Sequence, residues 1–218
     1  MTRTERCTTL QDLAHIVAAT NTANGWSDDF TIAQIPERIA LIHSEVSEAS
    51  RERNRRKRAR ELGDVQIRTL HLCELIDPGR IGWFVMRCSC LPDRRPLLPV
   101  RLFLRATRPI QDLYLHTIIS AALEIYRKTG HNEFCGLLLD KLLDLIDRVN
   151  LLLLAELPAG TTPTDLILEI NSVNATRGHR HGDCGADPLA PSAVAAVRLH
   201  LPRRVRPAGR PDPARPRR

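Results

Sequence analysis

Residues 32–76 read IAQIPERIALIHSEVSEASRERNRRKRARELGDVQIRTLHLCELI, and this stretch decides the fold. Ile35, Ile39, Ile42, Val46 and Ala49 recur at three- and four-residue steps, the spacing of one buried stripe on a helix over 32–54. Pro36 falls in its first turn, where the missing N–H costs nothing. Leu62, Val65, Leu72 and Ile76 form a second stripe and predict a helix over about 58–76, ended by Asp77-Pro78-Gly79. The run RERNRRKRAR at 51–60 between them is expected to be a solvated helix end and turn. Two antiparallel helices with apolar stripes read as part of an all-α helical bundle.

Upstream, Leu10, Leu13, Ile16 and Val17 predict a helix over 9–23, stopped by Asn24-Gly25, before a loop with Trp26 and Phe30. Downstream, residues 78–109 hold five prolines and no period, so they read as a connector with a strand-like piece near 100–104. Helical periodicity resumes at 110–128, 133–157 and 163–176, the last capped by Thr164 or Asp165 and closed by Gly178. From about 186 the chain turns to Ala, Pro and Arg, a composition that buries no core. The expected organisation is a helical half at 1–77, a connector at 78–109, a second half at 110–183 and a disordered tail at 184–218.

The two halves resemble each other. LIHSEVSEASRERNR and ELGDVQIRTLHLCEL in the first correspond to LYLHTIISAALEIYRK and DLIDRVNLLLLAEL in the second. His43 aligns with His116, Ser47 with Ser120, and Glu61 and Asp64 with Asp144 and Asp147. Ile118 and Ala121 stand where the first half has Glu45 and Glu48. A decayed tandem duplication predicts a pseudo-twofold bundle, with the connector outside it and no acidic partners for Asp144 and Asp147.

Composition narrows the function classes. The chain has 218 residues, 43% hydrophobic and 26% charged, which is ordinary for a soluble globular protein. No apolar run approaches the ~18 residues of a membrane span. The N-terminus MTRTERCTTLQD has no apolar signal core, and six scattered cysteines fit a reducing cytoplasm. Only Cys88 and Cys90 are close, and C-x-C alone is no zinc signature. Seven arginines against one aspartate in residues 202–218 carry six of the formal +7. The body is therefore near neutral, which argues against a nucleic-acid-binding surface.

The chemistry lies in four acids. Glu45 and Glu48 sit one turn apart on the stripe 41, 45, 48, 52, one step around from the core stripe. Glu61 and Asp64 repeat the arrangement on the next helix, twelve residues later. An antiparallel pair would bring all four carboxylates together at the interface of the two helices. Like charges at such distances raise one another's pKa unless a cation joins them. Hard oxygen donors favour Mg²⁺, with Mn²⁺ as a substitute, and Mg²⁺ commonly bridges carboxylates to phosphate.

The segment ANGW…IALIHSEVSEASRERNR…ELGDVQIRTL resembles the MazG-like, all-α nucleoside triphosphate pyrophosphohydrolases. That family's signature is E-x-x-E, a gap, then E-x-x-D, here Glu45, Glu48, Glu61 and Asp64. Its closing motif is matched by Asn174, Arg177, His181 and Gly182 in INSVNATRGHRHGD. The resemblance covers residues 10–76 well and 110–182 loosely. It implies cleavage of a nucleoside triphosphate between the α- and β-phosphates. The four acids would hold Mg²⁺, or one of the glutamates would instead orient the attacking water; Asn174, Arg177 and His181 would bind the nucleotide.

Two departures bear on this. Ile170 stands at the family's lysine and Asp183 at its second glycine, so Arg177 or an arginine of the 51–60 run would have to serve the phosphates. Trp26 is placed to stack on a base or to pack. The second half would supply what compact relatives obtain by oligomerising, so self-association is possible without being required for the site. The alternative reading is a non-catalytic helical interaction module. A third, nucleic-acid binding through the arginine tail, predicts steep salt dependence lost on deleting 202–218.

Overall fold

A computed structural model describes residues 10–28, 30–81, 96–129 and 134–177, all within one compact unit. They form seven α-helices and no strand. The helices are α1 (Leu10–Ala23), α2 (Ile35–Arg51, entered through a 3-10 turn at Ile32–Gln34), α3 (Arg55–Ile76), α4 (Leu98–Ala106), α5 (Arg108–Lys128), α6 (Phe134–Glu156) and α7 (Pro163–Asn174). The expected all-α architecture is present, and among the described residues no helix is long and apolar enough to cross a membrane. The tail at 184–218, His181 and residues 82–95 of the expected connector lie outside the described residues.

Local chemistry sets the helix ends. Proline occupies the first turn of α2, α4, α5 and α7, where its fixed φ suits a helix start. Residues 100–104, expected as a strand-like piece, are helical for this reason: Pro99 starts the helix Leu98–Ala106, which buries Leu104. Thr162 caps α7 in a reciprocal box with Asp165, so the cap precedes the residues expected for it. Asn54 accepts hydrogen bonds from the amides of Arg56 and Lys57 and caps α3 after only three residues of turn. That tight turn fixes the register of the α2–α3 hairpin.

α2 packs on α3 and α5, and α6 packs on the same two helices, closing a four-helix arrangement. α1 and α7 pack on α3 and on each other, and α4 packs on α6. α3 is thus enclosed by α1, α2, α6 and α7. A helix buried on so many sides must pair its polar groups. Gln66 Nε2 donates to the Ile146 carbonyl at 3.0 Å and Thr69 Oγ1 to the Val65 carbonyl at 2.7 Å. Glu74 accepts from Gln11 Nε2 at 2.6 Å.

The basic run departs from expectation. Arg58 is buried, with its guanidinium on both carboxylate oxygens of Asp112, on the Ala49 carbonyl and beside Glu156. Arg55 and Arg108 also bind Glu156. The α3 entry is therefore an ionic junction of α2, α3, α5 and α6, because the short turn drives its arginines under the bundle.

The two aligned histidines meet. His43 of α2 and His116 of α5 stack with ring centroids 5.0 Å apart and Nδ1 atoms 2.7 Å apart. Ile118 is buried beside them in sequence, while Asp144 is exposed and paired with Lys141.

Candidate metal centre

The α2–α3 hairpin brings Glu45 of α2 together with Glu61 and Asp64 of α3. Carboxylate oxygens of Glu45, Glu61 and Asp64 all lie within 4.8 Å of one another, a group that could hold a metal ion. Glu45 is buried; Glu61 and Asp64 are half-buried. The expected cluster of four is reduced to three: Glu48, one turn nearer the hairpin turn, is exposed and falls outside the group. It still acts on Glu61 through its charge.

Electrostatics mark the same spot. Burial first, then the charges of Glu45 and Glu61, push the Asp64 carboxyl up to about 7. Burial and the charges of Glu45 and Glu48 also raise Glu61. Among the described residues only Glu45 of the three is in an ion pair: Arg68 Nε and Nη2 both stand 2.6 Å from its Oε1. Three converging carboxylates are a donor set suited to a hard divalent cation.

A cleft opens beside the acids. Asp64 and Arg68 line it from α3, Arg38 from α2, Asn21 from α1, Trp26 from the following loop, and Asn174 and Arg177 from the end of α7. Residues from both ends of the fold, Trp26, Asn174 and Arg177 among them, thus converge here. Gly25 adopts φ 79°, a left-handed turn suited to glycine, and so returns the chain with the Trp26 amide on the Asn21 carbonyl. Arg38 donates to the Trp26 carbonyl at 3.1 Å. Asn24 Nδ2 donates to the Asn174 carbonyl at 2.9 Å, tying the loop to α7. The Oδ1 of Asn174 is buried and has no hydrogen-bond partner among the described residues.

Ile170, the residue at the lysine position, is core. Its Cδ1 occupies the space that a Cβ on residue 63 would need, so Gly63 lets α7 dock between the motif acids. Of the 51–60 run, Arg55 and Arg58 are committed to Glu156 and Asp112, whereas Arg60 acts through its charge on Glu61 and Asp64. The cations at the cleft are Arg38, Arg68 and Arg177. Arg38, Arg68 and His71 were missed from sequence. Their signal was available: 38, 41, 45 and 61, 64, 68, 71 continue the acidic stripes along their own helices.

His71 is buried and its Nε2 lies 3.0 Å from Ser27 Oγ. Burial, then Arg38 and Arg68, hold its pKa down to about 4. This gives a pH prediction with two opposed signs. Asp64 titrates near 7 folded against 3.8 unfolded, so its stabilisation is complete below 3.8 and lost as pH rises through 7. His71 titrates near 4 folded against 6.5 unfolded, so its stabilisation is present above 6.5 and lost as pH falls through 4. In metal-free protein the two slopes oppose each other between these limits. Asp64→Asn should leave stability rising from pH 4 to 6.5, and His71→Gln should leave it falling from pH 4 to 7. Urea unfolding in a chelator reads both, and slopes of one sign in the two variants would refute the assignment.

Comparison with protein-family models, with curated proteins and with solved structures gives no match.

Proposed function

We propose that this protein is a divalent-cation-dependent nucleoside triphosphate pyrophosphohydrolase of MazG-like type, releasing a nucleoside monophosphate and pyrophosphate. The observation that carries the reading is convergence: Asp64, a member of the acid trio, borders one cleft with Asn174 and Arg177, over a hundred residues away in the chain. Mg²⁺ is the proposed cation, held by Glu45, Glu61 and Asp64; it would neutralise phosphate charge and supply an activated water. Arg38 and Arg177 would grip phosphate oxygens, which guanidinium groups match in forked geometry. Asn174 has an unused acceptor for the ligand, and Trp26 offers a ring to a base. Glu48, exposed beside Glu61, is the glutamate left to orient a water.

A single chain would then supply the whole site. We further infer that α2–α3 and α5–α6 descend from one duplicated hairpin. Support comes from the meeting of His43 with His116 and from the paired packing of α2 on α5 and α3 on α6.

The test is a screen of canonical and modified nucleoside triphosphates with Mg²⁺ or Mn²⁺, resolving pyrophosphate from orthophosphate. The expected product is pyrophosphate, only with metal. Orthophosphate alone, or no turnover of any nucleotide, defeats the proposal. The second outcome would favour a non-catalytic helical relative, a reading supported by the burial of Ile170 at the lysine position.

A further inference from the structure

We propose that Arg68 is an internal counter-ion that a divalent cation displaces from Glu45, and that the released guanidinium then binds the anionic ligand in the cleft. The inference rests on the reading of Glu45, Glu61 and Asp64 as a cation site and adds a role for a residue outside that trio. Glu45 is 7% exposed, and two N–H groups of Arg68 already converge on its Oε1. With Arg68 on Oε1, Glu45 offers a divalent cation only its Oε2; both oxygens become available once the guanidinium leaves. Among the described residues no ion pair reaches Glu61 or Asp64, and Arg60 acts on them only through its charge, without a paired contact. A divalent ion neutralises the group better and wins the exchange.

The geometry also fixes where Arg68 goes. It stands one helical turn beyond Asp64 on α3 and lines the cleft with Arg38, Arg177 and Asn174. A head group freed from Glu45 has that cleft in reach. An independent observation shows that the cleft is built for a polar ligand. Asn174 is nine-tenths buried, and its Oδ1 has no partner among the described residues; Arg38 Nε is likewise buried without one there. Each is a polar atom whose burial is costly until something satisfies it. Arginine suits the second task, because its fork binds two phosphate oxygens at once. Cation and polyanion binding are then coupled, each favouring the other by the same factor.

The test uses the full chain and three probes. Mn²⁺ binding is titrated by electron paramagnetic resonance for wild type, Arg68→Gln and Arg68→Lys. Mg²⁺ is then added to ¹⁵N-labelled protein while the Arg68 Nε–H resonance is followed. Last, binding of an α,β-methylene nucleoside triphosphate is measured at saturating Mn²⁺. Arg68→Gln should bind Mn²⁺ about tenfold more tightly, since the competitor is gone, yet bind the analogue at least tenfold more weakly. Arg68→Lys should recover part of the analogue affinity. The Arg68 Nε–H signal should shift and exchange faster with water on adding Mg²⁺. A purely structural arginine would give weaker binding of both probes, and an Nε–H signal unmoved by Mg²⁺ also overturns the exchange. If wild type binds no Mn²⁺, the cation site itself fails. If it binds Mn²⁺ and Arg68→Gln does not tighten it, only the exchange fails.

Discussion

Asp64→Asn is expected to abolish metal-dependent pyrophosphate release while leaving the fold intact. Asp64 sits at the meeting point of the acid trio and the cleft, so it would serve cation and ligand together. Its charged form is disfavoured, the carboxyl being pushed up to about 7 first by burial and then by the charges of Glu45 and Glu61. Removing that charge relieves Glu45 and Glu61 at no packing cost, because asparagine has the same shape. The loss in turnover should exceed the ~100-fold typical of removing an outer partner of a metal site. Glu45→Gln should behave alike, whereas Glu48→Gln should retain Mn²⁺ binding, since Glu48 lies outside the trio. Pyrophosphate assays and Mn²⁺ titrations of the three variants check this. Asp64→Asn protein with undiminished turnover would refute the role of the trio.

Arg58→Met is expected to cost about 3–5 kcal/mol of stability, the range for breaking one side of a buried ion pair. Arg58 is 2% exposed, and its carboxylate partner Asp112 is 6% exposed. Without the guanidinium, Asp112 becomes a buried charge with no other ion pair among the described residues. Glu156 would suffer less, because Arg55 and Arg108 still bind it. Methionine keeps the length of the aliphatic stem, so the loss reports charge and hydrogen bonding. Arg58→Met combined with Asp112→Leu should recover most of the stability, because no unpaired charge remains. Urea unfolding of both variants measures the difference. A cost below 1 kcal/mol in the single variant would show that Asp112 is satisfied in another way.

The helices of the bundle were legible because their apolar stripes keep one period over several turns. α2 and α3 differ from expectation by only a few residues at each end. α4 was not legible, because its prolines were read as breaks when Pro99 is a start. The first-turn proline of α2 had been read correctly from the same chemistry. For the site, spacing alone put Glu45, Glu61 and Asp64 on facing stripes. It did not show that Glu48 would be exposed, because that depends on which end of the hairpin the rest of the fold covers. The neighbours that close the cleft, α1 and α7, cover the end that holds Arg38, Arg68 and His71. Arg58 was misread because a charge run is ordinarily solvated, and burial of one member depends on partners more than fifty residues away.

The stacked histidines have one more consequence. Like atoms face each other across the contact, Nδ1 to Nδ1, and a hydrogen bond between like atoms needs a single proton. One ring must donate and the other accept, so the two imidazoles hold opposite tautomers whenever the bond is made. Burial and the nearness of His116 lower the pKa of His43, which disfavours a second proton on the pair. A contact between equivalent residues is therefore asymmetric at the level of one hydrogen. The choice of donor is a two-valued degree of freedom, stored between the helix that carries Glu45 and the helix that carries Ile118.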